Sequence, residues 1–195
     1  MEWVWLIVFA AGLALAGRSY LRSDDSGELA PKRTLLLVPV CSPGDRTSPA
    51  LLEWAAGCLA EELGATVTLA ERPLYLQKDA FHPHTRQGDA VHIVNLVEPL
   101  VTPDRAVLGV TEYDLHSPMR RDLPFAMGAR KGWAGLLSTY RMEDRTNPDN
   151  TRVRLRKMLV RYGAELVCDA PRNEDPTSLL FNGLQAPEQL DEMGR

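Results

Sequence analysis

The stretch TLLLVPV, residues 34–40, is a continuous apolar run that ends in a turn signal, and such a run is typical of a strand buried on both faces of a sheet. Ser48 and Pro49 follow with the residue types that begin a helix, and Gly64 has the type that ends one. A second strand is predicted directly afterwards, at 65–70. This β-α-β order predicts two parallel strands joined by a right-handed crossover.

The rest of the chain continues an α/β pattern. In order, it predicts a loop at 71–84, a helix at 86–97, a third strand at 106–111, a hairpin formed by 123–130 and 134–140, a helix that begins at about Thr151, and an irregular, polar tail at 170–195. The last helix carries large side chains at helical spacing, which predicts that this face packs on the sheet. They are Leu155, Leu159, Tyr162 and Leu166.

Residues 1–22 differ from the rest because they contain a long uncharged segment. A membrane span needs about 20 apolar residues, so an anchor would have to use residues 3–21. The alternative is a signal peptide cleaved after Ala16, but the segment lacks the basic start of such a signal, and we favour the uncleaved anchor. Arg18 and Arg22 follow the uncharged part of this region, and positive charge on that side of a span favours a cytoplasmic domain. A cleaved signal would instead make the domain secreted or periplasmic.

Composition limits the remaining classes of function. Residues 23–33 are polar and predict a short flexible linker, which leaves 34–195 as one folded domain. The net charge is −4, and this argues against nucleic acid as a partner because a phosphate-binding surface needs a basic excess. Cys41, Cys58 and Cys168 are widely spaced and form no CxxC, so they predict free thiols rather than disulfides or thiolate-bound zinc.

Five stretches resemble a known family in their order and spacing. They are LLLVPV at 35–40, DAFHPHTRQGDA at 79–90, VLGVTEYDL at 107–115, FAMGARKGWAGLLSTYRM at 125–142 and LRKMLVRYGAEL at 155–166. These stretches resemble those of the archaemetzincins, a family of zinc metallopeptidases in the metzincin clan, over about residues 34–185. The resemblance implies an α/β (α+β) fold in which helices pack on a metzincin-like mixed, twisted sheet.

The signature of that family, HExxHxxGxxHC, supplies three histidine ligands to zinc and a glutamate as general base. Laid over the chain from the last helix onward without a gap, the signature and the Met-turn methionine that follows it in this family meet a different residue at every one of their functional positions. In order, these residues are Arg161 at the first ligand, Tyr162 at the base, Glu165 at the second ligand, Cys168 at the glycine, Pro171 at the third ligand, Arg172 at the following cysteine and Leu179 at the Met-turn methionine. Arginine repels a cation, tyrosine is a poor base at neutral pH, and one carboxylate does not hold zinc. The resemblance therefore predicts a lost catalytic centre, with no zinc or other cofactor.

Two hypotheses concern what stands in place of the metal. Arg161 and Glu165 are spaced as i and i+4 on one helix face, so we expect an ion pair there; a solvated pair on a helix surface is the alternative. The histidines all precede the last helix, and we expect structural or solvated roles for them. They are His82, His84, His92 and His116. A relocated metal site built from these four is the alternative.

The resemblance also implies a place for a peptide. In metzincins the substrate lies extended along an edge strand that precedes the active-site helix, and the counterpart here falls within 124–130. An edge strand can add a peptide strand through main-chain hydrogen bonds without any catalysis. The candidate peptide-binding residues are Pro124, Phe125, Ala126, Met127 and Gly128. The alternative is a plain sheet edge, guarded by Arg120, Arg121 and Arg130.

Together these inferences predict a membrane-tethered, catalytically inactive pseudopeptidase that binds an extended peptide or protein, or acts as a scaffold. One alternative is a working metal-dependent peptidase or hydrolase with a non-standard centre. Another is a degenerate domain with a structural role at the membrane.

Overall fold

The computed structural model describes residues 30–45, 47–118 and 124–194. The predicted membrane segment, the cleavage site after Ala16 and most of the predicted linker lie outside these residues, as do Arg120 and Arg121. Within the described ranges, no helix is long and apolar enough to cross a membrane.

The described chain forms eight strands and three α-helices. They are β1 (Thr34–Cys41), α1 (Pro49–Leu63), β2 (Val67–Leu69), β3 (Leu74–Tyr75), β4 (Gly88–Asp89), α2 (Ala90–Val97), β5 (Arg105–Thr111), β6 (Leu115–His116), β7 (Gly128–Lys131), β8 (Ala134–Ser138) and α3 (Pro148–Val167). Short 3-10 turns lie at Lys78–Ala80, Glu98–Leu100, Tyr140–Met142 and Pro187–Asp191.

The main sheet is mixed, as predicted. Its strand order is β2-β1-β5-β8-β7, and β3 pairs with the end of β1. β1 runs parallel to β2, β3 and β5, and β5 runs parallel to β8. Only β7 is antiparallel to its neighbour, β8, because a tight turn at Gly132 (φ 56°) joins the two strands. The parallel β1–β2 pair and the hairpin are therefore confirmed. β4 and β6 form a separate two-stranded sheet.

Helices cover both faces of the sheet, because the central strands are apolar on both sides. Leu35, Leu37 and Leu108 belong to the core that contains α1 and α3, whereas Val38 and Val107 belong to the core that contains α2. Alternate residues of a strand point to opposite faces, so the doubly buried strand predicted from TLLLVPV is confirmed. The result is a three-layer α/β domain in which α3 lies over the sheet.

The element boundaries differ from the prediction where local side chains decide them. α2 begins at Ala90 rather than at residue 86, since the Asp89 carboxylate accepts hydrogen bonds from the backbone N–H groups of Val91 and His92 at 2.9 and 3.0 Å and so caps the helix. α3 begins at Pro148, earlier than predicted. The predicted loop at 71–84 is wrong in part, because it contains β3 and a 3-10 turn.

The hairpin and the tail also differ from the prediction. β7 begins at Gly128, so the stretch from Pro124 to Met127 precedes the strand; its backbone forms an isolated bridge between Ala126 and Leu115. The tail after residue 170 is irregular but not simply polar, since Leu190 and Met193 are buried. The tail folds back on α3 because these apolar side chains join the core that contains the helix.

Candidate functional site

The zinc signature, laid over the sequence, places its first positions in the C-terminal half of α3. Arg161, Tyr162 and Glu165 are buried there, with 4%, 5% and 2% of their surfaces exposed. The helix lies close to α1 at Gly163, where an added Cβ would come within 2.5 Å of the Leu59 and Leu63 side chains. Tyr162 and Leu166 lie against Gly135 of β8, where an added Cβ would come within 3.3 and 2.9 Å of their side chains, so this face of α3 packs on the sheet, as its spacing predicted.

Glu165 is the centre of a buried ion cluster. Its carboxylate accepts hydrogen bonds from Arg172 Nε and Nη2 at 3.0 and 3.1 Å. Arg161 Nε lies 3.4 Å from the same carboxylate, and Arg130 Nε lies 3.1 Å from it. The geometry contains the Arg161–Glu165 pair, and the pair is buried rather than solvated. We call these four residues the Glu165 cluster.

Two members of this cluster, Arg130 and Arg172, were not predicted from the sequence to contact Glu165. Arg172 was assigned only to a replaced cysteine position, and Arg130 only to the guarding of a sheet edge. Arg172 comes from the segment after α3 and Arg130 from β7, so neither contact follows from helical spacing.

The other replaced positions surround this cluster or lie beyond it. Arg161 Nη1 donates a hydrogen bond to the carbonyl of buried Leu179, so the position of the Met-turn lies directly against that of the first ligand. Cys168 is buried, and burial raises the pKa of its thiol. Pro171 is exposed in the segment after α3.

Burial and ion pairing set the protonation of the site. Burial lowers the pKa of Arg161, and the charge of Glu165 offsets part of that effect. Burial also opposes the charge of Arg172, but its bonds to Glu165 outweigh this and its pKa is raised. Arginine stays protonated in either case. Burial raises the pKa of Tyr162 to about 12, so its hydroxyl is neutral and cannot serve as a general base at neutral pH.

A cleft of about 160 Å³ opens above these residues. One wall is formed by Phe125, Ala126, Met127 and Gly128, and the floor includes Arg161, Tyr162 and Arg172. The structure thus brings four of the five candidate peptide-binding residues together with Arg161, Tyr162 and Arg172. Pro124 lies outside the lining, and its carbonyl accepts a hydrogen bond from Gln87 Nε2 at 3.0 Å.

No protein-family model matches the sequence, and no curated protein sequence matches it. Two solved structures match its fold. The archaemetzincin from Methanopyrus kandleri is 19% identical, with a TM-score of 0.62 over 83% of this chain and 87% of its own. A zinc-dependent peptidase from Methanocorpusculum labreanum (strain Z) is 14% identical, with a TM-score of 0.61 over 82% of this chain and 93% of its own.

The chain has the archaemetzincin fold. The resemblance found in the five sequence stretches is confirmed at the level of the fold. The mixed sheet, the antiparallel edge strand and the long helix that follows it are the parts of the archaemetzincin fold that frame the cleft.

The residues at the centre of this archaemetzincin fold do not fit a zinc ion. Both oxygens of Glu165 face guanidinium groups, and the signature laid over the sequence puts Arg161 and Pro171 at the other two ligand positions. Zinc in proteins takes thiolate, imidazole or carboxylate ligands, and a cation would be repelled by the three arginines. In the part of the chain that the structure describes, no group of three or more His, Cys, Asp or Glu side chains could hold a metal ion.

Three of the four histidines nevertheless lie near one another. The ring of His82 is 5.3 Å from that of His116 and 5.8 Å from that of His84, measured between centroids. His82 Nδ1 accepts a hydrogen bond from the backbone N–H of Thr85 at 3.4 Å. His92 lies apart from them, in α2.

Proposed function

We propose that this domain binds an extended peptide and does not cleave it. The observation that carries the proposal is the Glu165 cluster, in which three guanidinium groups surround the carboxylate that the signature, laid over the sequence, places at the second zinc ligand. A hydrolase of this fold needs a metal-bound water and a base. The centre offers a neutral tyrosine and charged arginines instead.

The edge of the sheet supports a binding role. β7 ends the strand order of the main sheet and pairs with β8 on one side. Its first residue, Gly128, lines the cleft, so a strand added to its other side would run beside the Glu165 cluster. Edge strands offer unpaired main-chain donors and acceptors to such a peptide.

We also propose that residues 3–21 tether the domain to a membrane, with the domain on the cytoplasmic side. The support is the uncharged run at 3–17, which is followed by Arg18 and Arg22. A reporter enzyme fused after residue 195 tests the side, and fractionation of cells that express the chain with and without residues 1–22 tests the tether. Recovery of both forms in the soluble fraction would contradict it.

The metal content of the purified full-length chain, kept in mild detergent, tests the loss of zinc chemistry. We expect well under one zinc per chain after growth in zinc-supplemented medium, and an unchanged thermal transition after chelation, because folding is not linked to the metal. Stoichiometric zinc whose removal lowers the transition would overturn the proposal. In that case His82, His84 and His116 are the first candidates for a non-standard hydrolase centre, and their alanine variants should lose the metal.

A further inference from the structure

The Glu165 cluster leaves the floor of the cleft positively charged. Arg130, Arg161 and Arg172 bring three positive charges to the single negative charge of Glu165, which leaves a net charge of two. Among the described residues that line the cleft there are arginines and side-chain amides but no carboxylate. A cleft of this kind is suited to an anion rather than to a cation or a neutral group.

We propose that the cleft binds the C-terminal carboxylate of a peptide that adds to β7. This inference rests on the proposed peptide-binding function and names the chemical group that the site recognises. A carboxylate is the anion that every peptide carries at one end, and arginine recognises it through charge-assisted hydrogen bonds.

Arg172 is the member of the cluster best placed to reach such a ligand. Its side chain is 36% exposed, whereas that of Arg161 is 4% exposed. A guanidinium has five N–H groups, and Arg172 directs those on Nε and Nη2 to Glu165, so its Nη1 group remains for a second acceptor. Asn182 and Gln185 line the cleft beside it and add amide donors.

The direction of β7 fixes which peptide end reaches the charge. β7 runs from Gly128, which lines the cleft, to Lys131. A peptide that pairs antiparallel with β7 ends at Gly128, so its carboxylate arrives at Arg172. A peptide that pairs parallel would bring its ammonium group there, against two net positive charges. The cluster therefore selects both the carboxyl end and the antiparallel direction.

Three pools of random, N-acetylated octapeptides test this proposal against the immobilised full-length chain in mild detergent. The first pool has free C-terminal carboxylates, the second has C-terminal amides, and the third has C-terminal amides and one fixed internal aspartate. Bound peptide is quantified by mass spectrometry. We expect the free-acid pool to be retained about tenfold more than either amide pool, the ratio typical of one charge-assisted hydrogen bond.

Two variants assign the effect to the cluster. Arg172→Gln should reduce the preference for the free acid to nearly one, while leaving Glu165 with Arg130 and Arg161 as partners. Arg172→Lys keeps the positive charge but lacks the planar set of guanidinium N–H donors, so it should retain part of the preference for the free acid. The matched control is Arg145→Gln, because the Arg145 side chain is 87% exposed and pairs only with exposed Glu143 among the described residues; it should leave the preference unchanged. A thermal transition confirms that each variant is folded.

Each other outcome overturns a defined part of the proposal. Equal retention of the acid and amide pools, above that of a support without protein, would leave peptide binding intact and overturn carboxylate recognition. Retention of the internal-aspartate pool equal to that of the free-acid pool would overturn the choice of the C-terminus. Retention of no pool would overturn both this inference and the proposed peptide-binding function.

Discussion

Replacement of Glu165 by glutamine is the most direct perturbation of the centre. Glutamine keeps the shape of the side chain and removes its charge, so it leaves three arginines without their common counter-ion. The three arginines do not respond alike. The side chains of Arg130 and Arg172 are 39% and 36% exposed and can turn toward water, while Arg161 is confined with 4% exposed.

The expected cost of Glu165→Gln therefore comes mainly from one buried cation. Removing the partner of a buried ion pair typically destabilises a protein by about 3–5 kcal/mol. For a domain of this size, this corresponds to a melting temperature lower by roughly 6–20 °C. Arg161→Met should cost less, because Glu165 keeps Arg130 and Arg172 as partners.

Chemical denaturation of the two single variants and the double variant measures this coupling. We expect the double variant to be more stable than the sum of the single losses by about 0.5–3 kcal/mol, since it lacks Arg161, the buried cation that Glu165→Gln alone leaves unpaired. Glu143→Gln is the matched control, because Glu143 and Arg145 are 61% and 87% exposed, and exposed pairs contribute about 0–1 kcal/mol. Additive losses, or a loss from Glu165→Gln no larger than that of the control, would refute the buried cluster as described.

Two further predictions test the packing of α3. The pKa of Tyr162 is raised from 10.0 to about 12, so the folded state favours the neutral hydroxyl. The free energy of unfolding is therefore unaffected by this group below pH 10 and falls as the pH rises toward 12, by on the order of 2–3 kcal/mol in all. Tyr162→Phe should remove that alkaline loss, and a denaturation series from pH 9 to 12 that shows the same slope in both proteins would contradict it. Gly163→Ala should destabilise the domain by about 1–3 kcal/mol because the added methyl group forces the leucines of α1 apart. The control is Gly57→Ala, where an added Cβ meets nothing within 4 Å; it should stabilise the domain by about 0.5–1 kcal/mol because alanine has the higher helix propensity. Thermal melts that rank the two variants the other way would contradict this packing.

The parts of the fold that the sequence predicted are those with strong local signals. An apolar run without polar alternation predicted β1, and serine, proline and glycine at the ends predicted α1, whose C-cap Gly64 has a φ of 63°. The hairpin was likewise predicted from a local signal, the glycine in its turn. The boundary of α2 was missed because one Asp89 side chain, rather than the apolar period, decides where the helix begins.

The centre could be predicted only where its contacts lie within one helix. Arg161 and Glu165 belong to the same turn of α3, so their pairing followed from spacing alone. The contacts of Arg130 and Arg172 depend on how β7 and the segment after α3 are placed in space, and no sequence period encodes that. The long arginine side chain adds to the difficulty, since it reaches partners that its backbone position does not indicate.

The Glu165 cluster also ties together the elements that frame the cleft. In the zinc signature, two ligands lie on the helix and the third lies after it, so the ion ties the helix to the following segment. Here Arg161 binds the carbonyl of Leu179, and Glu165 binds Arg172 and, across the cleft wall, Arg130 of β7. Side chains thus form the same connections that a metal would form, and they add a link to the edge strand. Because arginine does not titrate in the range where proteins fold, the three guanidinium groups keep their positive charge throughout that range, which suits a site for holding a peptide carboxylate.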